Sequence, residues 1–286
     1  MPESPASFLI GLIGAGIQAS RTPAMHMLEA SRQGLRYVYK LIDLEKLGLG
    51  AEALPDLLTA AERMGFDGLN ITHPCKQAVI PLLTELSEEA RAIGAVNTVV
   101  LRNGKRSGHN TDCTGFAESF RRGLSGAQTG RVVLLGAGGA GAAIAHAVLN
   151  LGVEHLTIFD IDTAKAAHLA TALGPRRVTQ GINLADAMPG ADGLIHATPT
   201  GMAQHPGLPL PATLLRPEHW VAEIVYFPLE TELLRTARRL GCRTLDGGGM
   251  AVFQAVDAFR LFTDLEPDAE RMLRHFTALV DGVRVG

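Results

Sequence analysis

The stretch Val132-Val-Leu-Leu-Gly136-Ala-Gly138-Gly139-Ala-Gly141 decides the fold. Four apolar residues run into a GxGxxG spacing, an alanine-rich helical pattern follows, and Asp160 closes the next strand-like run, His155-Leu-Thr-Ile-Phe159. In that context each glycine has its own task. Gly136 permits a tight turn, Gly138 leaves room for a pyrophosphate, and Gly141 lets helix and strand pack closely. Ala137, Gly139 and Ala140 complete the loop and the helix start, where unpaired N–H groups face phosphate oxygens. A carboxylate at Asp160 accepts hydrogen bonds from the adenosine ribose and repels a 2′-phosphate, so NAD is expected over NADP. Asp162 adds to that repulsion, whereas Lys165 is a possible phosphate partner; the plain alternative for Asp160 is a helix cap.

The chain has 286 residues, enough for two domains, with 47% hydrophobic and 19% charged residues, the balance of a globular protein. A net charge of −3 with no basic run gives no footprint for nucleic acid or an anionic membrane, and a small-molecule partner is expected. Cys75, Cys113 and Cys242 are far apart and odd in number, with no CxxC, so neither a disulfide framework nor a zinc cluster is indicated, and a cytoplasmic protein is expected. Glu3 and the lack of basic residues before Phe8-Leu9-Ile10 argue against a secretory leader. The uncharged run Val132 to Val153 is long enough to mimic a membrane span, but its glycines, His146 and Asn150 mark it as strand, loop and helix.

Outward from this loop, strand and helix periods alternate, the pattern of an α/β protein with largely parallel sheets. Toward the N-terminus, strands are predicted near Phe8–Ile13, Tyr37–Ile42, Gly68–Ile71 and Thr98–Leu101, with helices near Pro23–Ser31, Ala53–Met64, Lys76–Leu83 and Glu88–Ile93. Asp112–Gly123 has helical spacing. Further strands are predicted at His155–Phe159, Gly193–His196, Val221–Ile224 and Arg243–Leu245, with helices at Gly139–Leu151, Thr163–Leu173 and Glu232–Leu240. Two helices, Met250–Phe262 and Asp268–Val280, end the chain. The expected division is a substrate-binding and catalytic domain at 1–112, a Rossmann-type NAD domain at 113–247, and C-terminal helices at 248–286.

Polar groups follow the strands of the first part. Ser20-Arg21-Thr22-Pro23 places two hydroxyls at a helix start, and Asn70-Ile71-Thr72-His73-Pro74-Cys75-Lys76 places a lysine after an apolar strand. Ala95-Val96-Asn97-Thr98 and Gly108-His109-Asn110-Thr111-Asp112 add an amide and a carboxylate. With His196-Ala-Thr198-Pro-Thr200-Gly-Met202, Glu223-Ile-Val225-Tyr226-Phe-Pro228 and Asp246-Gly247-Gly-Gly-Met250-Ala-Val-Phe-Gln254, these segments resemble the shikimate dehydrogenase family over essentially the whole chain. The resemblance implies that Lys76 is the general acid/base paired with Asp112. It implies that Ser20 and Thr22 receive the substrate carboxylate, that Thr72, Asn97 and Gln254 bind ring hydroxyls, and that Tyr226 closes the pocket. It implies, too, that Thr198, Thr200, Met202, Val225 and Gly247 join the glycine loop in binding the cofactor, and that the C-terminal helices at 248–286 pack back on the first domain. Local alternatives are a solvated lysine for Lys76 and helix caps for Ser20, Thr22 and Asp112.

Biosynthetic members of that family usually carry proline, histidine and serine where this chain has Gly16, Ala19 and Thr22, and Asn-Arg-Thr where it has Asp160-Ile161-Asp162. Both departures resemble the NAD-dependent quinate/shikimate branch, working in the oxidative, catabolic direction. The implied activity is oxidation of shikimate, quinate or both to the 3-dehydro product by a monomer or homodimer. A dehydrogenase for aminoshikimate or a similar cyclohexene acid is the enzyme alternative, with Cys75 and Thr22 as the altered positions, and a non-catalytic NAD-binding regulatory module is the alternative from another class. Cys75 reads as a buried spacer, and His73, His109 and His196 as local hydrogen-bonding residues without metal spacing.

Overall fold

The computed structural model describes residues 6–280, so Glu3 lies outside the described residues. The chain forms two compact units, Met1–Thr111 with Val252–Gly286, and Asp112–Ala251.

In the first unit the order is β1 (Ser7–Gly14), α1 (Thr22–Arg32), β2 (Arg36–Asp43), α2 (Leu44–Leu47), α3 (Leu54–Arg63), β3 (Gly68–Ile71), α4 (Cys75–Ala78), β4 (Glu85–Leu86), α5 (Glu88–Ile93), β5 (Thr98–Arg102) and β6 (Lys105–His109). Strand β1 alternates between two apolar layers, Leu9 and Ile13 into one and Ile10 and Leu12 into the other, as a strand covered on both faces must. The sheet order is β2-β1-β3-β5-β6-β4. β1 runs parallel to β2 and β3, but β5 is antiparallel to β3 and β6, so this sheet is mixed. The reversal lies in the two-residue turn Asn103-Gly104, both at positive φ (53° and 71°), the hairpin geometry that Asn-Gly favours. The helix expected over Lys76–Leu83 divides into α4 and a 3₁₀ turn at Ile80–Leu82, because Pro81 has no N–H to continue the ladder.

The second unit runs α6 (Asp112–Gly123), β7 (Arg131–Leu135), α7 (Gly139–Asn150), β8 (His155–Phe159), α8 (Thr163–Leu173), β9 (Val178–Gln180), α9 (Leu184–Ala187), β10 (Gly193–His196), β11 (Trp220–Glu223), α10 (Glu232–Arg239) and β12 (Arg243–Leu245). Its strands are all parallel in the order β12-β11-β10-β7-β8-β9. The chain thus winds outward from β7 in one direction through β8 and β9, and in the other through β10 to β12, leaving a switch point between β7 and β10. Val133, Leu135, Leu194 and Val221 form the core of one face with Leu233 and Ala237 of α10. Helix α11 (Gly248–Thr263) crosses the division between the units, and α12 (Ala269–Val280) belongs to the first. Ala258 and Phe262 of α11 pack in one of the two apolar layers around β1. Among the described residues no helix is long and apolar enough to cross a membrane.

Candidate functional site

In the second unit Gly136 follows β7 at φ +109°, where an added Cβ would lie 2.5 Å from the carbonyl oxygen of Ala197 beyond β10. A Cβ at Gly141 would strike the carbonyl of Gly136, so helix and turn can meet only without one. Gly138, by contrast, faces open space. The loop therefore pairs close packing behind with clearance in front, and the N-terminal N–H groups of α7 lie where a phosphate would sit. The backbone of this chain fits a dinucleotide.

Asp160 follows β8 with a second task. Its Oδ2 accepts the Ala137 N–H at 2.7 Å and its Oδ1 accepts the Asp162 N–H at 2.8 Å, tying the glycine loop to the end of β8. The helix cap is not Asp160. Asp162 caps α8 by accepting the Ala164 N–H, and it also pairs with Lys165 at 3.5 Å. Thr198, Thr200 and Met202 follow β10, Val225 and Tyr226 follow β11, and Gly247 follows β12. All lie beyond the carboxyl ends of parallel strands, where open α/β sheets bind ligands. Gly247 allows close approach, since a Cβ there would stand 2.7 Å from the Val225 carbonyl oxygen. Asp112 opens α6 and is buried.

The first unit gathers its polar residues by register. β1 and β3 are parallel neighbours, and antiparallel β5 begins where β3 ends, with Asn70 opposite Thr98 and Thr98 opposite His109. The loops after β1, β3 and β6 and the entry to β5 therefore share one end of the sheet, bringing Ser20, Thr72, Asn97 and Thr111 to it. Thr72 N–H donates to the Ile13 carbonyl at 2.9 Å, and Ala15 N–H to the His73 carbonyl at 2.9 Å. Ser20 and Thr22 flank the start of α1. Its N-cap position is Arg21, whose side chain makes no capping bond, and Ser20 Oγ accepts the Thr22 N–H at 3.3 Å. Lys76 lies half-buried in α4, and Gln254 half-buried in α11. Burial pushes the Cys75 thiol up to about 11, which leaves it a spacer and not a nucleophile.

Residues not singled out from the sequence hold these groups. Asp43 caps α2 and accepts Gly16 N–H (3.0 Å), Ile17 N–H (3.2 Å) and Gln18 Nε2 (2.8 Å), pinning the loop that carries Ser20. Burial raises this carboxyl, but the Gln18, Gly16, Glu45 and Ile17 donors outweigh it and hold it below the usual carboxylate range. A buried chain of bonds runs from Tyr39 Oη to Asn70 Oδ1 (2.7 Å), from Asn70 Nδ2 to Thr98 Oγ1 (3.1 Å), and from Thr98 Oγ1 to Asn97 Oδ1 (3.1 Å). Asn97 Nδ2 then donates to Thr111 Oγ1 at 2.9 Å, so the Asn97 carboxamide is held at both ends. An aspartate before a helix was the available sign for Asp43; the Tyr39 chain joins distant segments and leaves none.

The second unit is a doubly wound dinucleotide-binding fold. A family model described as shikimate dehydrogenase substrate binding domain matches residues 12–99, within the first unit. A shikimate dehydrogenase (NADP(+)) of Streptomyces avermitilis is 61% identical, over 96% of each chain. A quinate/shikimate dehydrogenase (NAD(+)) of Corynebacterium efficiens is 52% identical over 96% of this chain and 99% of its own. The structure of quinate dehydrogenase from Corynebacterium glutamicum in complex with NAD superposes with a TM-score of 0.88 at 49% identity, covering 96% of this chain and 99% of that one. This chain belongs to the shikimate dehydrogenase family.

Proposed function

We propose that the protein catalyses NAD-linked oxidation of the ring hydroxyl of shikimate, quinate or both to the 3-dehydro product. The observation that carries the reading is full-length similarity to relatives named for those substrates, joined to a glycine loop whose Ala137 N–H is bonded by Asp160. We assign substrate binding to the first unit and dinucleotide binding to the second. The nicotinamide, when bound, supplies the hydride acceptor. Lys76 takes the hydroxyl proton, and Asp112 orients Lys76 and hydrogen-bonds the substrate. Ser20 and Thr22 receive the carboxylate, Thr72, Asn97 and Gln254 the ring hydroxyls, and Tyr226 closes the pocket; directional groups of this kind reject analogues that lack a partner.

NAD is the cofactor we favour, because a carboxylate at Asp160 opposes a 2′-phosphate. The 61% identical relative named for NADP(+) supports the opposite choice. The test is to supply NAD or NADP with shikimate, quinate and aminoshikimate and to follow the reduced cofactor, with Lys76→Ala beside the wild type. Turnover with shikimate or quinate and NAD, lowered by orders of magnitude in the variant while substrate still binds, is the expected result. No turnover with any pair, despite NAD binding, would favour a regulatory module.

A further inference from the structure

The second unit holds a buried acid–imidazole–hydroxyl chain that joins the two loops beyond β10 and β11. His196 ends β10 and Glu223 ends β11, and both are fully buried. His196 Nδ1 lies 2.9 and 3.0 Å from the two Glu223 oxygens. Glu223 also accepts the Val225 N–H at 3.0 Å and the Thr231 hydroxyl at 3.1 Å, and Thr231 in turn caps α10. On its other side, His196 Nε2 bonds Thr198 Oγ1, which accepts the Thr200 N–H at 3.3 Å.

The chemistry fixes the directions. A nitrogen facing a carboxylate carries its proton, so the tautomer that Glu223 selects donates from Nδ1 and accepts at Nε2. Thr198 must then donate its only hydroxyl proton inward, and its oxygen can meet a ligand only as an acceptor. A carboxylate buried with these donors is costly to unpair, so the same bonds hold Val225 and the α10 cap in place. In a doubly wound sheet β7 to β9 serve one mononucleotide and β10 to β12 the other. Asp160 lies in the first half, and every member of the buried chain lies in the second.

We propose that Glu223 and His196 are positioning residues for the nicotinamide half of the cofactor, holding Thr198 as an obligate acceptor toward a donor on that half and fixing the Val225 backbone beside it. The inference rests on the dinucleotide reading above and goes beyond it in separating the two halves of the ligand.

The experiment titrates NAD and AMP, and NADP and adenosine 2′,5′-bisphosphate, into the wild type, Glu223→Gln and Thr198→Val. Gln keeps the shape of Glu223 but presents one oxygen and one amide donor to groups that all donate; Val keeps the shape of Thr198 without its hydroxyl. The expected result is that the intact dinucleotide weakens about tenfold in both variants while the fragment lacking nicotinamide stays within about twofold. Equal weakening of fragment and dinucleotide, or no weakening of either in Thr198→Val, overturns the inference and leaves the dinucleotide reading standing. Thr198→Val decides the matter if Glu223→Gln does not fold. A wild type that binds neither dinucleotide overturns both.

Discussion

At Asp160 one carboxylate serves the protein and, on our reading, its cofactor. One oxygen accepts the Ala137 N–H and the other the Asp162 N–H, yet each carboxylate oxygen has further acceptor capacity for a ribose hydroxyl. Removing the whole side chain would therefore confuse loop shape with charge. Asp160→Asn keeps an acceptor for Ala137 and removes the charge that opposes a 2′-phosphate. We expect the ratio of kcat/KM for NAD to that for NADP to fall by about tenfold, a shift of about 1.4 kcal/mol; an unchanged ratio would deny Asp160 its part in selection. The glycine loop was legible because all its chemistry is contiguous, turn, clearance and helix start within ten residues. Asp160's bond to Ala137 was not, because it spans 23 positions. Gly16 shows the same limit. Its departure from proline was visible, but only the structure gives the reason, a φ of +65° that a ring locked near −65° cannot adopt.

The elements with strong periods, such as β8, α8 and the strand Gly68–Ile71, were read to their ends. Those missed are short or polar. β6, Lys-Arg-Ser-Gly-His, has no apolar alternation, and only the Asn103-Gly104 turn before it announces a hairpin; β4 and β9 have two and three residues. What holds elements together was hidden by distance. Glu29 of α1 is fully buried and accepts Arg271 of α12 at 2.6 and 2.8 Å, 242 positions away, together with the Asp268 N–H and Gln33 Nε2. Burial raises the Glu29 carboxyl, and Arg271, Asp268 and Gln33 more than reverse it, leaving it below the usual range. A depressed carboxyl contributes stability above its unfolded pKa, near 4.3, and loses it as pH falls through the folded value. Arg271→Leu leaves that carboxylate buried without its cation. It should cost about 3 kcal/mol in urea unfolding at pH 7, and less as the buffer is taken below pH 4. A cost under about 0.5 kcal/mol at pH 7 would mean that the pair contributes nothing net.

Taken whole, the chain has two sheets of different kinds, and the difference bears on what each unit can bind. The all-parallel sheet offers every carboxyl end on one edge, which suits a long ligand laid across a switch point. The mixed sheet brings one reversed strand beside two parallel ones, so loops from both strand directions crowd their polar groups together around Asn97. Length and alternation were enough to expect two domains, but helix periodicity alone says nothing of where the last helices belong. Their place with the first unit follows from Ala258 and Phe262 in its core. If the second unit is the dinucleotide site, its ligand must stabilise the folded chain by mass action. At one hundred times its Kd, NAD should contribute about 2.7 kcal/mol, which raises the melting midpoint of a unit this size by roughly 5–10 °C. The rise should grow with the logarithm of concentration, and ATP, which lacks the nicotinamide half, should give a smaller one at equal concentration. A midpoint unmoved by millimolar NAD or NADP would show that the glycine loop, for all its fit, holds no dinucleotide.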